Sequence, residues 1–362
     1  MFTGEMHEMK LETELKLSYY REIARIDEKR NIKLVQHTES GKVFVLKTLH
    51  VFDLKVFTYL KENPPKGIPK IIELIEDEEK IHVVEEYVSG NTLLELQQDR
   101  GPFSEHEAAG YISQLCDILR TLHQQNPPIV HRDIKPSNLL VTYDGRLILI
   151  DFNTAKESEG DKGHDTVLIG TAGYAAPEQY GFSESKPTAD IYAIGVLLNE
   201  LLTGCLPGQK EYKGRLSKII QKCIHIDPEQ RFQSVDELQQ ALNEALHPEK
   251  ARLKSMQSWL PPGIRNKNPF VKFASFVGYL LLIIISMSLE FENVSSAELI
   301  FNRIVFLLFF LSEILLIGNY GNIWSHLPLA RNSNRLVKAG GIVLWAFVLL
   351  ICWAIIIGSF NF

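Results

Sequence analysis

The chain has 362 residues, 45% of them hydrophobic and 23% charged, and carries a formal net charge of -6. This length admits one large or two medium domains, and the acidic balance argues against nucleic acid as a partner, because phosphate backbones are bound by a basic face. Cys116, Cys205, Cys223 and Cys352 lie far apart without CxxC spacing, which reads as reduced thiols rather than a disulfide or zinc framework. Met1 to Tyr20 is rich in Glu and Lys and has no apolar core of the kind a secretory signal needs. Residues 1–16 are taken as an N-terminal extension.

Short strands and amphipathic helices alternate over residues 17–247. Ile32 to Val35 and Val43 to Lys47 are expected as strands about a turn at Glu39-Ser40-Gly41, with a further pair around Ile71 to Ile75 and Ile81 to Val84. Between them, a short helix from about Val51 to Leu60 places Asp53 on one face with Val56, Phe57 and Leu60. Ser104 and Glu107 have capping-box spacing ahead of a helix striped by Tyr111, Leu115, Ile118, Leu119 and Leu122, and Asn126-Pro127-Pro128 stops it. Leu139 to Val141 and Leu147 to Ile150 pair as a hairpin about Asp144-Gly145. Later helices are expected from Ile191, over Leu216 to Cys223 and over Val235 to Leu246.

The chemistry concentrates on that hairpin. The run His131-Arg132-Asp133-Ile134-Lys135-Pro136-Ser137-Asn138 leads into it, and Asp151-Phe152-Asn153 comes directly after it. Two acids and an amide at this spacing form a metal–phosphate site, with Asp133 as acceptor of a hydroxyl proton and Asn138 and Asp151 as magnesium ligands. On these residues, with Gly170-Thr171-Ala172-Gly173-Tyr174-Ala175-Ala176-Pro177-Glu178 downstream, the chain resembles the eukaryotic-type serine/threonine protein kinases over about two-thirds of its length.

The resemblance implies an α+β, two-lobe kinase fold over residues 17–247, a small β-rich lobe followed by a larger helical one. It implies ATP and Mg2+ as cofactors, with Mn2+ as a substitute, protein substrates as partners, and a homodimer for autophosphorylation. Lys47 falls where the family holds the α- and β-phosphates, and Asp53 matches the helix acid that positions that lysine, with Glu62 as a second candidate. Ile32, Val45 and Leu140 would contact the adenine, and the backbone at Glu86 and Val88 would pair with it. Glu85 takes a position where a bulky apolar residue is common. Lys135 would neutralise the transferring phosphoryl group, and Thr171 would bond to Asp133 and Lys135. Glu178 would pair with Arg231 as a buried structural ion pair, and Asp190 would brace the catalytic loop. Thr166 would be a phosphosite able to order the loop it lies on, with Arg132 as its partner.

Two departures stand out. The three glycines expected over the phosphates are Arg25, Asp27 and Arg30, so basic side chains or a plain charged hairpin replace a close backbone approach. Asn153 replaces the glycine of the second motif, and asparagine is among the few residues that tolerate positive φ.

Beyond residue 247 the composition changes. Residues 248–269 form a basic linker, with Arg252, Lys254, Arg265 and Lys267, broken by Trp259-Leu260-Pro261-Pro262-Gly263. Residues 270–362 are expected to be a membrane domain whose three apolar segments, about 271–289, 299–318 and 340–360, are each long enough to cross a hydrocarbon core about 30 Å thick. The loop after the first carries Glu290, Glu292 and Glu298, and the loop after the second carries Arg331, Arg335 and Lys338. Cationic segments stay cytoplasmic, so the protein is expected in the plasma membrane as a multi-pass chain, its kinase domain cytoplasmic and its C-terminus outside. Arg303 would snorkel outward, and Glu313, deeper in lipid, is a functional candidate or a helix–helix contact. Three functions fit: a membrane-anchored serine/threonine kinase, an ATP-binding pseudokinase scaffold, or a membrane sensor or transport component with a regulatory kinase-like domain. The complete catalytic set favours the first.

Overall fold

The computed structural model describes residues 11–77, 80–158, 170–180, 186–249, 260–290, 295–332 and 335–359. It divides into two compact units between Leu246 and His247. Thr166, Arg252, Lys254, Trp259 and Glu292 lie outside the described residues.

In the first unit, five antiparallel strands form a sheet of order β1-β2-β3-β5-β4: β1 (Tyr20–Asp27), β2 (Ile32–His37), β3 (Val43–Leu49), β4 (Ile71–Asp77) and β5 (Lys80–Glu86). The β-branched and aromatic residues of β2, β3 and β5 suit a pleated, half-buried surface, and Val35, Leu46, Val83 and Val84 are buried. A helix α1 over residues 11–18 precedes the sheet, and Thr13 Oγ1 donates to the Glu76 carbonyl of β4 at 3.0 Å. The helix α2 (Leu54–Glu62) lays Val56, Phe57 and Leu60 into the core.

Helices dominate the rest of this unit. After β6 (Gly90–Thr92) come α3 (Leu93–Arg100) and α4 (Glu105–His123). A capping box at Thr92 and Glu95 starts α3, and one at Ser104 and Glu107 starts α4, satisfying helix-end amides that would otherwise lack acceptors. The short strand β7 (Ile129–Val130) enters the catalytic loop, and β8 (Leu139–Thr142) pairs with β9 (Leu147–Leu149) as its exit. The turn between them is wider than a two-residue hairpin: Gly145 takes φ 79°, and Thr142 bonds to Arg146 through both backbone and hydroxyl. A two-residue strand β10 (Lys156–Glu157) returns to β7.

The helix α5 (Pro187–Thr203) is buried nearly all round, as its lack of a polar face requires. It packs with α6 (Ser217–Cys223) and α7 (Val235–Leu246) on one continuous core that runs up through α4 to α2 and β5. A catalytic loop standing on α5 is therefore anchored in the most buried part of the unit.

The second unit holds three helices long and apolar enough to cross a membrane: α8 (Pro269–Ser288), α9 (Ser296–Ile317) and α10 (Arg335–Ser359). Their ends lie a few residues from the hydrophobic segments because capping, not apolarity, sets them. Asn268 accepts from the Phe270 amide with Pro269 at the first turn, and Ser295 with Glu298 forms a capping box. Tryptophan indoles tie the bundle, Trp324 to the Leu316 carbonyl at 2.7 Å and Trp353 to the Ser312 hydroxyl at 3.0 Å. Arg265 donates to the Gly318 and Asn319 carbonyls at the end of α9. Arg303 donates to the Leu289 carbonyl at 2.8 Å, and Oε1 of Glu313 is buried with no hydrogen-bond partner among the described residues.

Candidate active site

Asp190, in the first turn of α5, organises the site from below. Its buried carboxylate accepts from the amides of His131 at 3.0 Å and Arg132 at 2.9 Å, and lies 2.8 Å from His123 Nε2. Burial alone would raise this carboxyl, but the His123 bond, the positive imidazoles and the amides outweigh it and hold Asp190 below the usual range. The loop it clamps contains Arg132 at φ 68°, a conformation unfavourable for a residue with a side chain. His131 is fully buried, and its ring packs edge-on against Phe152 at 4.8 Å.

Above this base the expected catalytic residues converge. Lys135 Nζ donates to Asp133 Oδ2 and to Thr171 Oγ1, both at 2.6 Å, and the Thr171 hydroxyl donates to Asp133 Oδ1 at 2.6 Å. Asn138 Nδ2 donates to the Asp133 carbonyl at 2.8 Å and to its carboxylate at 3.0 Å. Burial pushes the Asp133 carboxyl up, but the Lys135 and Thr171 bonds prevail and leave it below its ordinary value. It is thus a preoriented anion at neutral pH.

The donor set fits a magnesium ion. With its amide nitrogen committed to Asp133, Asn138 turns Oδ1 inward, and that oxygen and Asp151 Oδ1 are both buried without hydrogen-bond partners among the described residues. Bare carboxylate and amide oxygens suit a hard cation that completes its shell with water and phosphate oxygens. Among the described residues, no group of three or more His, Cys, Asp or Glu side chains could hold a metal unaided. Asp151 has φ 70°, whereas Asn153, expected to need the left-handed conformation, does not adopt it. Backbone strain therefore sits on the metal-facing Asp151 itself, two residues earlier than the sequence departure.

A cleft of about 340 Å³ opens over these oxygens, lined by Ile32, Val45, Lys47, Glu86, Val88 and Leu140 together with Asn138 and Asp151. Its volume is in the range of small-molecule sites. The Glu86 amide is committed to the Lys70 carbonyl at 2.9 Å.

Asp53 does not line this cleft, and the expectation that it pairs with Lys47 is corrected. The helix α2 begins only at Leu54, so Asp53 becomes its cap and accepts from the Lys55 amide at 3.0 Å, a role short acids favour. Glu62 is exposed at the other end of α2. The carboxylate that reaches Lys47 belongs to Glu85, 2.5 Å from its Nζ, with both side chains nearly buried. Burial pushes the Glu85 carboxyl up and Lys47 pulls it down, leaving it above its usual value. The signal was present in β5: Ile81, Val83 and Glu85 alternate onto one face, and an acid among buried apolar residues demands a partner.

The glycine-free loop is a tight hairpin. Asp27 accepts from the Arg30 amide at 3.1 Å, and Asn31 at φ 51° makes the reversal. This aims the Arg30 guanidinium into the cleft, 3.1 Å from Asp151 Oδ2. At the far side of the lobe, Arg231 and Glu178 form a two-pronged pair at 2.6 and 2.8 Å. Arg132 Nε donates to the Thr154 carbonyl at 2.6 Å.

A β-rich lobe over a helical one, with a hydroxyl-activating acid beside two bare metal-facing oxygens, defines a nucleotide-phosphate transfer scaffold. The chain belongs to the protein kinase domain family, whose model matches residues 31–257. It is 32% identical over 200 residues to an Aurora kinase of Candida glabrata, covering 52% of this chain and 55% of the relative. It is 32% identical to serine/threonine-protein kinase D of Synechocystis, over 49% of this chain and 38% of that one. To serine/threonine-protein kinase PrkC of Bacillus subtilis it is 37% identical, over 39% of this chain and 22% of that one. The chain thus spans about half or less of the length of these curated relatives.

Proposed function

We propose that this chain is a membrane-anchored serine/threonine protein kinase that transfers the γ-phosphoryl group of ATP to Ser and Thr hydroxyls of proteins, its own included. The observation that carries this reading is the Asp133–Lys135–Thr171 cluster facing the unpartnered oxygens of Asn138 and Asp151. Asp133 orients the acceptor hydroxyl and takes its proton as the new P–O bond forms and the bond to the leaving diphosphate breaks. Lys135 offsets charge on the group in transit, and Thr171 fixes both side chains through its hydroxyl. Asn138 and Asp151 would hold magnesium, which when bound supplies charge neutralisation at the phosphates. Ile32, Val45 and Leu140 sandwich the purine, while the Glu86 carbonyl and Val88 amide read its edge. Lys47 and Arg30 bring cations to the phosphates where backbone amides would otherwise do so.

The three apolar helices support insertion in a plasma membrane. Lys267, Lys272, Arg331, Arg335 and Lys338 favour a cytoplasmic side for the linker and the second loop, with the Glu290–Glu298 loop and the C-terminus outside. The test is the full chain in lipid nanodiscs with radiolabelled ATP and Mg2+, beside Asp133→Asn and Asp151→Asn. The native chain should label itself or a generic protein substrate, and both variants should not. Nucleotide binding without transfer by the native chain would make it a scaffold instead. Labelling of cysteines introduced at Glu290 and at Arg331 by a membrane-impermeant reagent in intact cells tests the orientation, since only the first should react.

A further inference from the structure

We propose that Glu85, on β5, is the acid that positions Lys47 for the nucleotide, so that the phosphate-binding lysine is held by the sheet and not by the helix α2. This rests on the proposed role of Lys47 as the lysine that meets the ATP phosphates.

Three observations converge. The register of β3 against β5 sets Val45 opposite Glu85 and Lys47 opposite Val83, so Lys47 and Glu85 are diagonal neighbours on one face, within reach of long side chains. Their charged atoms are 2.5 Å apart, with side-chain exposures of 7% and 12%, so the pair is shielded from the water that weakens surface ion pairs. Asp53, the acid that α2 offers nearest the lysine in sequence, is occupied with the Lys55 amide.

The mechanical consequence comes from where the two residues stand. Both lie on strands with neighbours on each side, since β3 pairs with β2 and β5, and β5 with β3 and β4. A site built on paired strands is held more closely than one that depends on a short helix docked by a few side chains. The helix α2 has nine residues and a single side-chain cap at its start. With Glu85 as partner, movement of α2 leaves Lys47 in place, and control of the cleft passes to groups that compete for Lys47, Glu85 or Asp151.

The experiment uses the full chain in detergent micelles with Glu85→Gln, Glu85→Asp and Asp53→Asn, an asparagine cap that keeps α2 intact. Two quantities are read: acylation of Lys47 by a small amine-selective ester, followed by peptide mass spectrometry, and kcat and KM for MgATP. Loss of the counter-ion in Glu85→Gln should speed Lys47 acylation several-fold. Misplacement of the lysine by about 1 Å should lower kcat by on the order of 10- to 100-fold, with a smaller change in KM. Glu85→Asp, which keeps the charge but retracts it, should fall between native and Glu85→Gln, and it carries the test should the glutamine variant not fold. Asp53→Asn should match the native chain in both readings. The proposal is overturned if Asp53→Asn reproduces the Glu85→Gln effects, or if Glu85→Gln leaves either the acylation rate or kcat at the native value. A native chain without transferase activity would sink the kinase reading, while the acylation rates alone would still decide which acid holds Lys47.

Discussion

Replacing Arg231 by methionine should be among the most destabilising single changes in the first unit. The arginine has five N–H donors, and the structure uses them all. Two go to the Glu178 carboxylate at 2.6 and 2.8 Å, and the others go to the carbonyls of His225 at 2.8 Å, Thr188 at 3.0 Å and Ile226 at 3.1 Å. The side chain is fully buried, that of Glu178 is 15% exposed, and the guanidinium lies 4.9 Å from the Tyr192 ring centroid. Methionine fills much of the volume but leaves a shielded carboxylate and three carbonyls without donors, and breaking a buried pair from one side costs about 3–5 kcal/mol. For a domain of this size that corresponds to a fall in Tm of roughly 6–20 °C. Calorimetry on the full chain in micelles, with hydrogen exchange at the amides of α5 and α7, reads the right transition. Tryptophan fluorescence would not, because Trp259, Trp324, Trp345 and Trp353 all lie beyond Leu246. Arg231→Lys should recover only a minor part, as a point charge with fewer donors cannot fill the fork. Arg231→Met combined with Glu178→Leu should be more stable than Arg231→Met alone, since no carboxylate is then stranded. A loss below about 1 kcal/mol for Arg231→Met, the level of a surface ion pair, would refute the reasoning.

Three further outcomes are expected. Asp133→Asn should lower phosphoryl transfer by about 10²–10⁴-fold, the range for removal of a general base, while leaving nucleotide binding intact by isothermal titration. Arg30→Gly frees Asp151 Oδ2 from a half-exposed ion pair, so apparent Mg2+ affinity without nucleotide should rise about two- to five-fold, the equivalent of about 0.5–1 kcal/mol; unchanged affinity would mean that Arg30 does not compete with the metal. Stability should also fall on acidification in two stages. Burial holds the His131 imidazole below its ordinary value, so it stays neutral in the fold while the unfolded chain takes up a proton, and stability is lost as pH drops below about 6.5. Asp190, held low, adds stability that is present above its unfolded value and lost as pH falls below about 3.9. A Tm that stays flat between pH 7.5 and pH 5 would contradict the first stage.

Local chemistry was legible in the sequence wherever a short segment determines its own structure. The capping boxes at Ser104 and Ser295 mark helix starts because side chain and amide lie within one turn. The catalytic loop was legible because its residues must meet at one point, and Asp133, Lys135, Asn138 and Thr171 do meet there. The strand β1 left almost no trace, since six of its eight residues, Arg21 to Ile26, are exposed and give no alternation to read. The start of α2 was misplaced because a short acid near a helix start can sit on its face or cap it, and capping won.

What escaped sequence reading in the cleft shares one cause, the pairing of charges across separate strands and loops. Arg30 and Asp151 are 121 positions apart, and only the folded lobe brings them to 3.1 Å. A glycine in place of Arg30 would let backbone amides approach a phosphate, but it would leave Asp151 facing the cleft without a counter-charge. The arginine reverses both terms: its side chain holds the backbone back, and its guanidinium neutralises Asp151 until another cation takes that position. The same exchange recurs deeper in the cleft, where Glu85 stands in place of an apolar side chain and Lys47 is paired before any nucleotide arrives. Nucleotide entry therefore breaks or remakes two ion pairs, one of them nearly buried. Because screening acts on the half-exposed Arg30–Asp151 pair and hardly on Lys47–Glu85, raising ionic strength should ease metal entry more than it loosens the lysine.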